Sequence, residues 1–233
     1  MERLDVIQAL IDGRKFATYL EIGVLGGYNF FKVKCDTKIA VDPHFQFNWK
    51  GKMGETLRNV DNLKAFYCET TSDDFFENDA PRIFRKTDLD VCLIDGMHEF
   101  DFALRDVMNA LDYLADNGVI VMHDCNPQSK ESAVSYADWK ARNSAGFWNG
   151  DVWRVIPVLR KYRADLQIHT IATAPAGLCV IRGLDPDSRV LADRYDEIVR
   201  EFREFDYATF ERDRDAYLNP CSNDAESLAR ILD

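Results

Sequence analysis

One short stretch constrains this sequence more than any other: an apolar run that ends beside a carboxylate and then breaks at a glycine-rich turn. Residues 17–22 are mostly apolar, Glu21 lies near their end, and three glycines follow by position 27. Residues 28–34 then predict a helix. This order of strand, turn and helix is typical of the first unit of an open α/β sheet, in which ligands bind at the carboxyl ends of the strands.

The spacing of the glycines argues against a dinucleotide ligand. The dinucleotide fingerprint G-x-G-x-x-G leaves backbone amides free to bind a pyrophosphate. Here Leu25 stands where that pattern, counted from Gly23, has its second glycine, and the next glycine is Gly26. Glu21 would also repel a phosphate at close range. The turn therefore favours a ligand with a positive charge, which makes S-adenosylmethionine plausible and NAD a poor fit.

Two later landmarks follow in order along the chain. A second apolar run ends in Asp42, 21 positions beyond Glu21, and residues 94–98 read Ile-Asp-Gly-Met-His. Together with the glycine turn they resemble the class I S-adenosylmethionine-dependent methyltransferases, over roughly residues 15–183. Within that family the sequence is most similar to the bacterial branch of macrolide-sugar O-methyltransferases and cephalosporin hydroxylase-like proteins.

The resemblance implies S-adenosylmethionine as cofactor and names the residues that bind it. These are Glu21, Gly23, Gly26, Asp42, Ser72, Asp73 and Asp95. An acid about 20 positions after the turn is placed to accept hydrogen bonds from ribose hydroxyls, which is the role expected of Asp42. In the family, a polar residue and an acid at the positions of Ser72 and Asp73 contact adenine. As alternatives, Asp42 is a turn residue and the 72–73 pair caps a helix.

The arrangement of apolar segments predicts one α/β domain over residues 1–233, with a core at about 15–183 and a charged helical extension at about 184–233. The fold expected is a Rossmann-like three-layer sandwich, with a mostly parallel seven-stranded sheet, an antiparallel last strand, and N- and C-terminal helices. The predicted strands are 17–22, 38–42, 63–68, 90–95, 119–124, 166–172 and 177–182. The main predicted helices after residue 34 are 99–114, 152–162, 194–203 and 205–218.

Charge and composition limit the classes of molecule that this protein is expected to bind. The chain carries 40 acidic against 29 basic residues, a net charge of -11, which is the opposite of a nucleic-acid-binding protein. It contains no apolar run of about 18 residues, and residues 1–13 lack the apolar core of a signal peptide. We therefore expect a cytoplasmic protein with a small-molecule substrate, no nucleic-acid or membrane partner, and a homo-oligomer as one possibility; the resemblance implies a bacterial origin. Its six cysteines contain no C-x-x-C pair and are expected to be reduced.

Acidic residues end two neighbouring predicted strands. Asp95 ends one, and His123 with Asp124 ends the next. Carboxylates at adjacent strand ends repel each other unless a cation lies between them, and a hard divalent cation suits such oxygen ligands. The resemblance carries Asp95 and Asp124 over as ligands of Mg²⁺ or Mn²⁺. His123 replaces a carboxylate of the relatives, so a softer metal, or no metal, stays open.

The sequence D-x-x-H at residues 95–98 resembles the motif of sugar O-methyltransferases, in which the histidine takes the proton of the substrate hydroxyl. His98, with Asp95 beside it, is therefore the predicted catalytic residue, because histidine exchanges protons near neutral pH. The alternative is that His98 only caps a helix. Residues 125–150 are predicted to form a lid with a helical piece near 132–142, and Trp148 and Trp153 are expected to line the acceptor site.

The function expected is O-methylation of a small hydroxylated or sugar-like compound, assisted by a divalent metal if one binds. Two other functions fit the same residues. One is an iron-dependent, hydroxylase-like relative on the same fold. The other is a non-catalytic S-adenosylmethionine-binding protein in which Asp95, His98 and Asp124 serve only to cap helices.

Overall fold

The computed structural model describes residues 1–144 and 146–232, and these residues form an eight-stranded sheet. The strands are β1 (Thr18–Ile22), β2 (Thr37–Asp42), β3 (Phe66–Glu69), β4 (Leu89–Ile94), β5 (Leu114–His123), β6 (Gln167–Ile171), β7 (Leu178–Arg182) and β8 (Pro220–Cys221). Their spatial order is β3-β2-β1-β4-β5-β7-β6-β8. The first five strands run parallel, and β7 is antiparallel to both β5 and β6.

Helices connect and extend this sheet. They are α1 (Arg3–Ile11), α2 (Trp49–Arg58), α3 (Ser72–Asp74), α4 (Ala80–Ile83), α5 (Phe100–Leu111), α6 (Tyr136–Ala141), α7 (Val155–Tyr162), α8 (Val190–Asp193), α9 (Tyr195–Arg203), α10 (Tyr207–Arg212), α11 (Arg214–Leu218) and α12 (Ala225–Leu232). Short 3₁₀ turns occur at Val60–Lys64, Phe84–Lys86 and Val152–Arg154, and a π turn at Phe75–Asp79. Within the described residues, none of these helices combines the length and apolar character needed to cross a bilayer.

Helices cover both faces of the sheet and produce three layers. Side chains of α5, α7 and the C-terminal helices α9–α11 pack on one face, and those of α1 and α12 pack on the other together with residues 30–35. Every residue of β1 and almost every residue of β4 is buried, as expected for parallel strands with helices on both sides. The predicted Rossmann-like α/β sandwich is confirmed.

The sheet has one strand more than the seven predicted. β8 lies in the C-terminal extension, which was expected to be helical, and pairs in parallel with β6. The backbone amide of Ala172 donates to the Cys221 carbonyl, and that of Thr170 donates to the Asn219 carbonyl. These bonds cover an edge that β6 would otherwise expose, and open strand edges invite unwanted pairing.

The helix predicted at residues 28–34 is replaced by hydrogen-bonded turns over 28–32. Distant side chains bind the carbonyls that a continuing helix would use. The Asn59 amide donates to the Phe31 and Val33 carbonyls at 3.0 and 2.8 Å, and the Lys38 ammonium donates to Val33 at 2.8 Å. The Phe31 and Val33 amides donate to the Gly27 and Asn29 carbonyls, so two isolated helical bonds remain, and the side-chain bonds oppose extension beyond residue 34. The Phe30 and Phe31 rings of this compact loop are buried.

Candidate functional site

The glycine turn after β1 packs directly on the end of β4. Gly23 has φ +86°, and a Cβ built there would lie 2.1 Å from the Asp95 carbonyl oxygen. The Asp95 amide donates to the Ile22 carbonyl at 2.9 Å, which holds the two strand ends together. Gly26 is restricted differently, because a Cβ there would lie 2.8 Å from the Tyr28 ring. Gly23 is thus required for the close packing of the glycine turn on Asp95, in addition to any contact with a ligand.

Asp42 ends β2 and fixes the shape of the glycine turn. Its carboxylate accepts hydrogen bonds from the backbone amides of Leu25 at 2.7 Å and His44 at 2.8 Å. Leu25 adopts a left-handed conformation with φ +48°, which a side chain tolerates only when its surroundings impose it. Asp42 therefore has the structural role of a turn residue. Its carboxylate oxygens have further lone pairs, which could accept hydrogen bonds from ribose hydroxyls.

Glu21 is buried, in contrast to the exposed charge that the sequence argument assumed. Only 3% of its surface is accessible, and the Tyr19 hydroxyl donates to its carboxyl at 2.6 Å. Burial raises the pKa of Glu21 to about 8, although the Tyr19 bond opposes the shift. The carboxyl is consequently mostly protonated at neutral pH in this arrangement. Its contact with the cofactor stays a prediction.

Asp95 lies among three nitrogen-bearing side chains. One is Arg3, from the first turn of α1, whose guanidinium donates to Asp95 Oδ2. His123 Nδ1 is 3.2 Å from Asp95 Oδ1, and His98 Nε2 is 3.7 Å from the same oxygen. Burial alone would raise the pKa of Asp95, but His123, Arg3 and His98 outweigh it and lower the pKa. Asp95 is therefore an ionised carboxylate at neutral pH.

Asp124 follows β5 with a left-handed backbone, φ +59°, and is 3% exposed. Its Oδ2 lies 3.3 Å from His98 Nδ1 and 3.1 Å from His123 Nδ1, and the Asn149 amide donates to its Oδ1 at 2.6 Å. Burial would lower the pKa of His123, but Asp124 and Asp95 raise it to about 9. In this arrangement His123 carries a proton and a positive charge at neutral pH.

The structure brings all four predicted catalytic and metal residues together. One ligand atom each from Asp95, His98 and Asp124 lies within 4.8 Å of the others. Among the described residues, His98 Nδ1 and both ring nitrogens of His123 are buried without a hydrogen-bond partner of good geometry. Once His123 has lost its proton, these imidazole nitrogens and the two carboxylates would form a donor set that fits a divalent cation. A mixed nitrogen and oxygen set suits Mn²⁺, Fe²⁺ or Zn²⁺ better than Mg²⁺.

Ser72 and Asp73 lie at the start of α3, beyond the end of β3. The N-cap of this helix is Thr71, whose side chain accepts a hydrogen bond from the Asp74 amide. The alternative that Ser72 and Asp73 cap the helix is therefore wrong. Asp73 instead accepts from Arg105 of α5, at distances of 2.9 to 3.2 Å, and Arg105 also donates to the Tyr195 hydroxyl. The Asp73 carboxylate is thus paired within the protein, and its contact with adenine stays a prediction.

Three residues near the site were missed from the sequence. Arg3 and Asn149 reach the two aspartates from segments far away in the sequence, and no local pattern marks them. Asp106 did carry a signal, because it interrupts the apolar stripe of α5 on its inward face. Its carboxyl accepts a hydrogen bond from Ser72, its Oδ1 has no partner among the described residues, and burial raises its pKa to about 7.

The two tryptophans expected at the acceptor site, Trp148 and Trp153, have different surroundings. The Trp148 ring stacks on His98 with 5.3 Å between ring centroids, and Trp139 of α6 stacks on Trp148 at the same distance. Helix α6 confirms the helical piece predicted near 132–142, while Ala145 lies outside the described residues. Trp153 is fully buried, 4.7 Å from the Phe210 ring, so its predicted place at the acceptor site is wrong.

The other two histidines lie outside the cluster of Asp95, His98, His123 and Asp124, and the cysteines are reduced as expected. His44 is exposed, and His169 lies at the far edge of the sheet beside Asn219 and Cys221. All six cysteines are free thiols.

Comparison with known proteins supports the family suggested by the sequence. Residues 20–125, from β1 to the residue after Asp124, match the family model described as a methyltransferase domain. This stretch of the chain is therefore similar to a methyltransferase domain. The prediction made from the glycine turn and the strand-end acids is confirmed at this level. Among curated proteins, none matches the sequence significantly.

Solved structures share the fold of this methyltransferase at low sequence identity. Cofactor-bound Rv0187 from MTB is 12% identical with a TM-score of 0.55. The O-methyltransferase TomG from Streptomyces achromogenes, in complex with SAM, is 13% identical with a TM-score of 0.53. An O-methyltransferase from Bacillus cereus, in complex with SAH, is 13% identical with a TM-score of 0.51. Each comparison covers 77% of this chain and 78% of the other.

Proposed function

We propose that this protein transfers a methyl group from S-adenosylmethionine to a hydroxyl of a small, sugar-like acceptor, and that a divalent cation assists. The observation that carries the proposal is the convergence of Asp95, His98 and Asp124 at the ends of β4 and β5, beside the Gly23 turn. This juxtaposition combines a base, two acids and a backbone cleft at the edge of the sheet where ligands of α/β folds bind.

The cofactor would bind along the ends of β1, β2 and β4. The glycine turn would contact its amino-acid part, Asp42 its ribose, and Ser72 with Asp73 its adenine. The complexes of TomG with SAM and of the Bacillus cereus enzyme with SAH support this choice of cofactor. Bound there, S-adenosylmethionine supplies a methyl group on a sulfonium, which is already an activated leaving group.

His98 is assigned the proton transfer. It removes the proton of the acceptor hydroxyl while the oxygen forms its bond to the methyl carbon and the carbon–sulfur bond breaks. Asp124 Oδ2, 3.3 Å from Nδ1, stabilises the imidazolium that results. A positioned base contributes about 10²–10⁴-fold in rate, and alignment of the reacting atoms contributes the larger remainder.

Asp95, Asp124 and His123 would hold the cation. It would supply a positive charge that stabilises the developing alkoxide of the acceptor. His123 must lose its proton to act as a ligand, so metal binding is expected to weaken as the pH falls. The aromatic wall of Trp148 and Trp139 beside His98 supports an acceptor with a ring face, such as a sugar.

The test is methyl transfer from labelled S-adenosylmethionine to a panel of sugars and other polyols. His98→Ala should lower the rate of the parent enzyme by about 10²–10⁴-fold. His169→Ala is the matched control, because that histidine lies at the far edge of the sheet beside Asn219 and Cys221, and should retain the parent rate. Transfer by His98→Ala at the parent rate would contradict the assignment of the base.

Metal dependence is tested separately by calorimetry with Mg²⁺ and Mn²⁺ and by activity in EDTA. Asp124→Asn should abolish metal binding and reduce transfer, because it removes an anionic ligand. If the variant keeps both the metal affinity and the activity of the parent, the assisting cation is ruled out and methyl transfer by His98 alone remains.

A second function is favoured by one specific observation. Two imidazoles and two carboxylates converge, and sets of two histidines with a carboxylate hold iron in non-haem oxygenases. An iron-dependent hydroxylase-like protein on this fold would contain stoichiometric iron after aerobic purification and transfer no methyl group. Elemental analysis of the purified protein together with the transfer assay separates the two functions.

We further propose that the whole chain acts as one domain, because the extension from residue 184 packs on the same sheet through α9–α12 and β8. A bacterial cytoplasmic origin and the absence of nucleic-acid or membrane partners stay predictions from the sequence.

A further inference from the structure

The apolar side of helix α2 faces solvent and its polar side faces the protein, which is the reverse of a helix that covers a core. None of its residues is buried. Its inward side carries polar residues: Lys52 places its ammonium 3.4 Å from the centroid of the Tyr67 ring, and the Thr56 hydroxyl donates to the Lys52 carbonyl. In an isolated globular domain the apolar stripe of a helix normally faces the core.

The outward side of α2 is apolar. Trp49, Met53 and Leu57 follow one another at four-residue steps, which places them on one stripe of the helix, and they are 68%, 54% and 81% exposed. The 3₁₀ turn that follows adds Val60 and Leu63, three residues apart on one side of the turn and 67% and 74% exposed. We call these five residues the apolar stripe.

Hydrogen bonds hold the stripe in this orientation. Asn59 donates to the Phe31 and Val33 carbonyls, as described for the loop after the glycine turn. Asn62, only 2% exposed, accepts from the Lys38 ammonium at 2.6 Å and donates to the Phe31 carbonyl at 3.0 Å. Because the polar side is anchored by buried bonds, rotation of the segment to bury the apolar stripe would break them.

The size of the stripe matches half of a small dimer interface. The exposed fractions of its five side chains correspond to roughly 600 Å² of surface, larger than the scattered apolar contacts of a typical monomer. Two copies together would bury about 1,200 Å², the lower end of the range for specific interfaces. Because the stripe is a single row of side chains along one segment, two copies can pair through the same row across a two-fold axis.

We propose that the apolar stripe is the interface of a homodimer, in which α2 of one copy packs against α2 of the other. The segment borders β3, at the edge of the sheet, and β2 and β1 separate β3 from the catalytic strand β4. The dimer therefore leaves the acids and His98 accessible. The other occupant of such a stripe is an anionic membrane surface: the net charge of -11 of the chain opposes it, while the segment at 49–64 has four basic and two acidic residues, so the experiment includes vesicles.

The experiment measures the mass of the full chain in solution by light scattering and sedimentation over a range of concentrations. The parent should sediment at twice its monomer mass of 26.8 kDa. The double variant Met53→Glu with Leu57→Glu should weaken the dimer by about a hundredfold or more, because four carboxylates would be desolvated against each other. Phe16→Glu alters an apolar residue that is 82% exposed at the opposite end of β1 and should stay dimeric.

A second variant guards against misfolding of the charged one. Leu57→Cys, oxidised under mild conditions, should form a disulfide-linked dimer that Phe16→Cys does not form. The proposal is overturned if the parent is a monomer at every concentration, if the double variant remains a dimer, or if the parent is a monomer that sediments with anionic phospholipid vesicles. None of these outcomes depends on the proposed methyl transfer.

Discussion

Replacing Asp106 with asparagine should make the protein more stable at neutral pH. The Asp106 carboxyl is 1% exposed, and Oδ1 has no partner among the described residues. Burial raises its pKa to about 7, with the Ser72 hydrogen bond opposing the shift. An acid whose folded pKa lies above its unfolded value destabilises the fold once it is forced to ionise, so stability is lost as the pH rises above the unfolded pKa.

The magnitude follows from the size of the shift. An ordinary aspartate titrates near 3.9, and each pKa unit is worth 1.36 kcal/mol, so ionisation of Asp106 costs the folded state about 4 kcal/mol above pH 7. The asparagine of the variant cannot ionise but loses part of the bond from Ser72, about 1 kcal/mol. We therefore expect Asp106→Asn to gain about 2–4 kcal/mol at pH 8 and less than about 1 kcal/mol near pH 4.

Urea unfolding of the parent and the variant at both pH values measures this difference directly. Asp112→Asn is the control, since that aspartate is about half exposed in a surface pair with Arg189 and should change little with pH. A gain that is equal at pH 4 and pH 8, or no gain at either, would refute the buried-charge argument. If Asp106→Asn binds S-adenosylhomocysteine more weakly than the parent, the Asp106 carboxyl contributes to cofactor binding.

Two further predictions concern the site. Gly23→Ala would bring a Cβ to 2.1 Å from the Asp95 carbonyl at a positive φ, so it should lower the melting temperature and abolish calorimetric binding of S-adenosylhomocysteine. Gly54→Ala, with open space around it inside a helix, should melt at or slightly above the parent temperature. Trp148→Ala removes the ring stacked on His98 and should raise the KM for the acceptor, while an unchanged KM would exclude Trp148 from the acceptor site.

The parts of the fold that were predictable are those governed by local pattern. β1 and β4 read as continuous apolar runs because both faces are covered, and polar residues mark where each strand leaves the core. Asp95, His98, His123 and Asp124 could be grouped in advance for the same reason: the carboxyl ends of adjacent parallel strands meet at one edge.

The parts that were missed depend on contacts between distant segments. Residues 28–34 have acceptable helix propensity and keep two isolated helical bonds, but Asn59 and Lys38 bind the Phe31 and Val33 carbonyls through which a helix would extend beyond residue 34. Arg3 reaches Asp95 only because α1 packs across the sheet. The state of Glu21 is likewise a tertiary property, since its acidity is set by the surrounding core and by Tyr19 rather than by its neighbours in sequence.

The compact loop at residues 28–34 also has an electrostatic consequence. In nucleotide-binding α/β proteins, the helix that begins after the first turn presents about half a positive charge to the ligand, and phosphates are drawn to it. Here that segment folds as turns with two isolated helical bonds, so fewer peptide dipoles align toward Gly27 than in a regular helix. A sulfonium ion meets less of this repulsion, and a diphosphate finds less of this attraction. The backbone is therefore expected to attract a diphosphate less than a regular helix would, whatever the charge of Glu21.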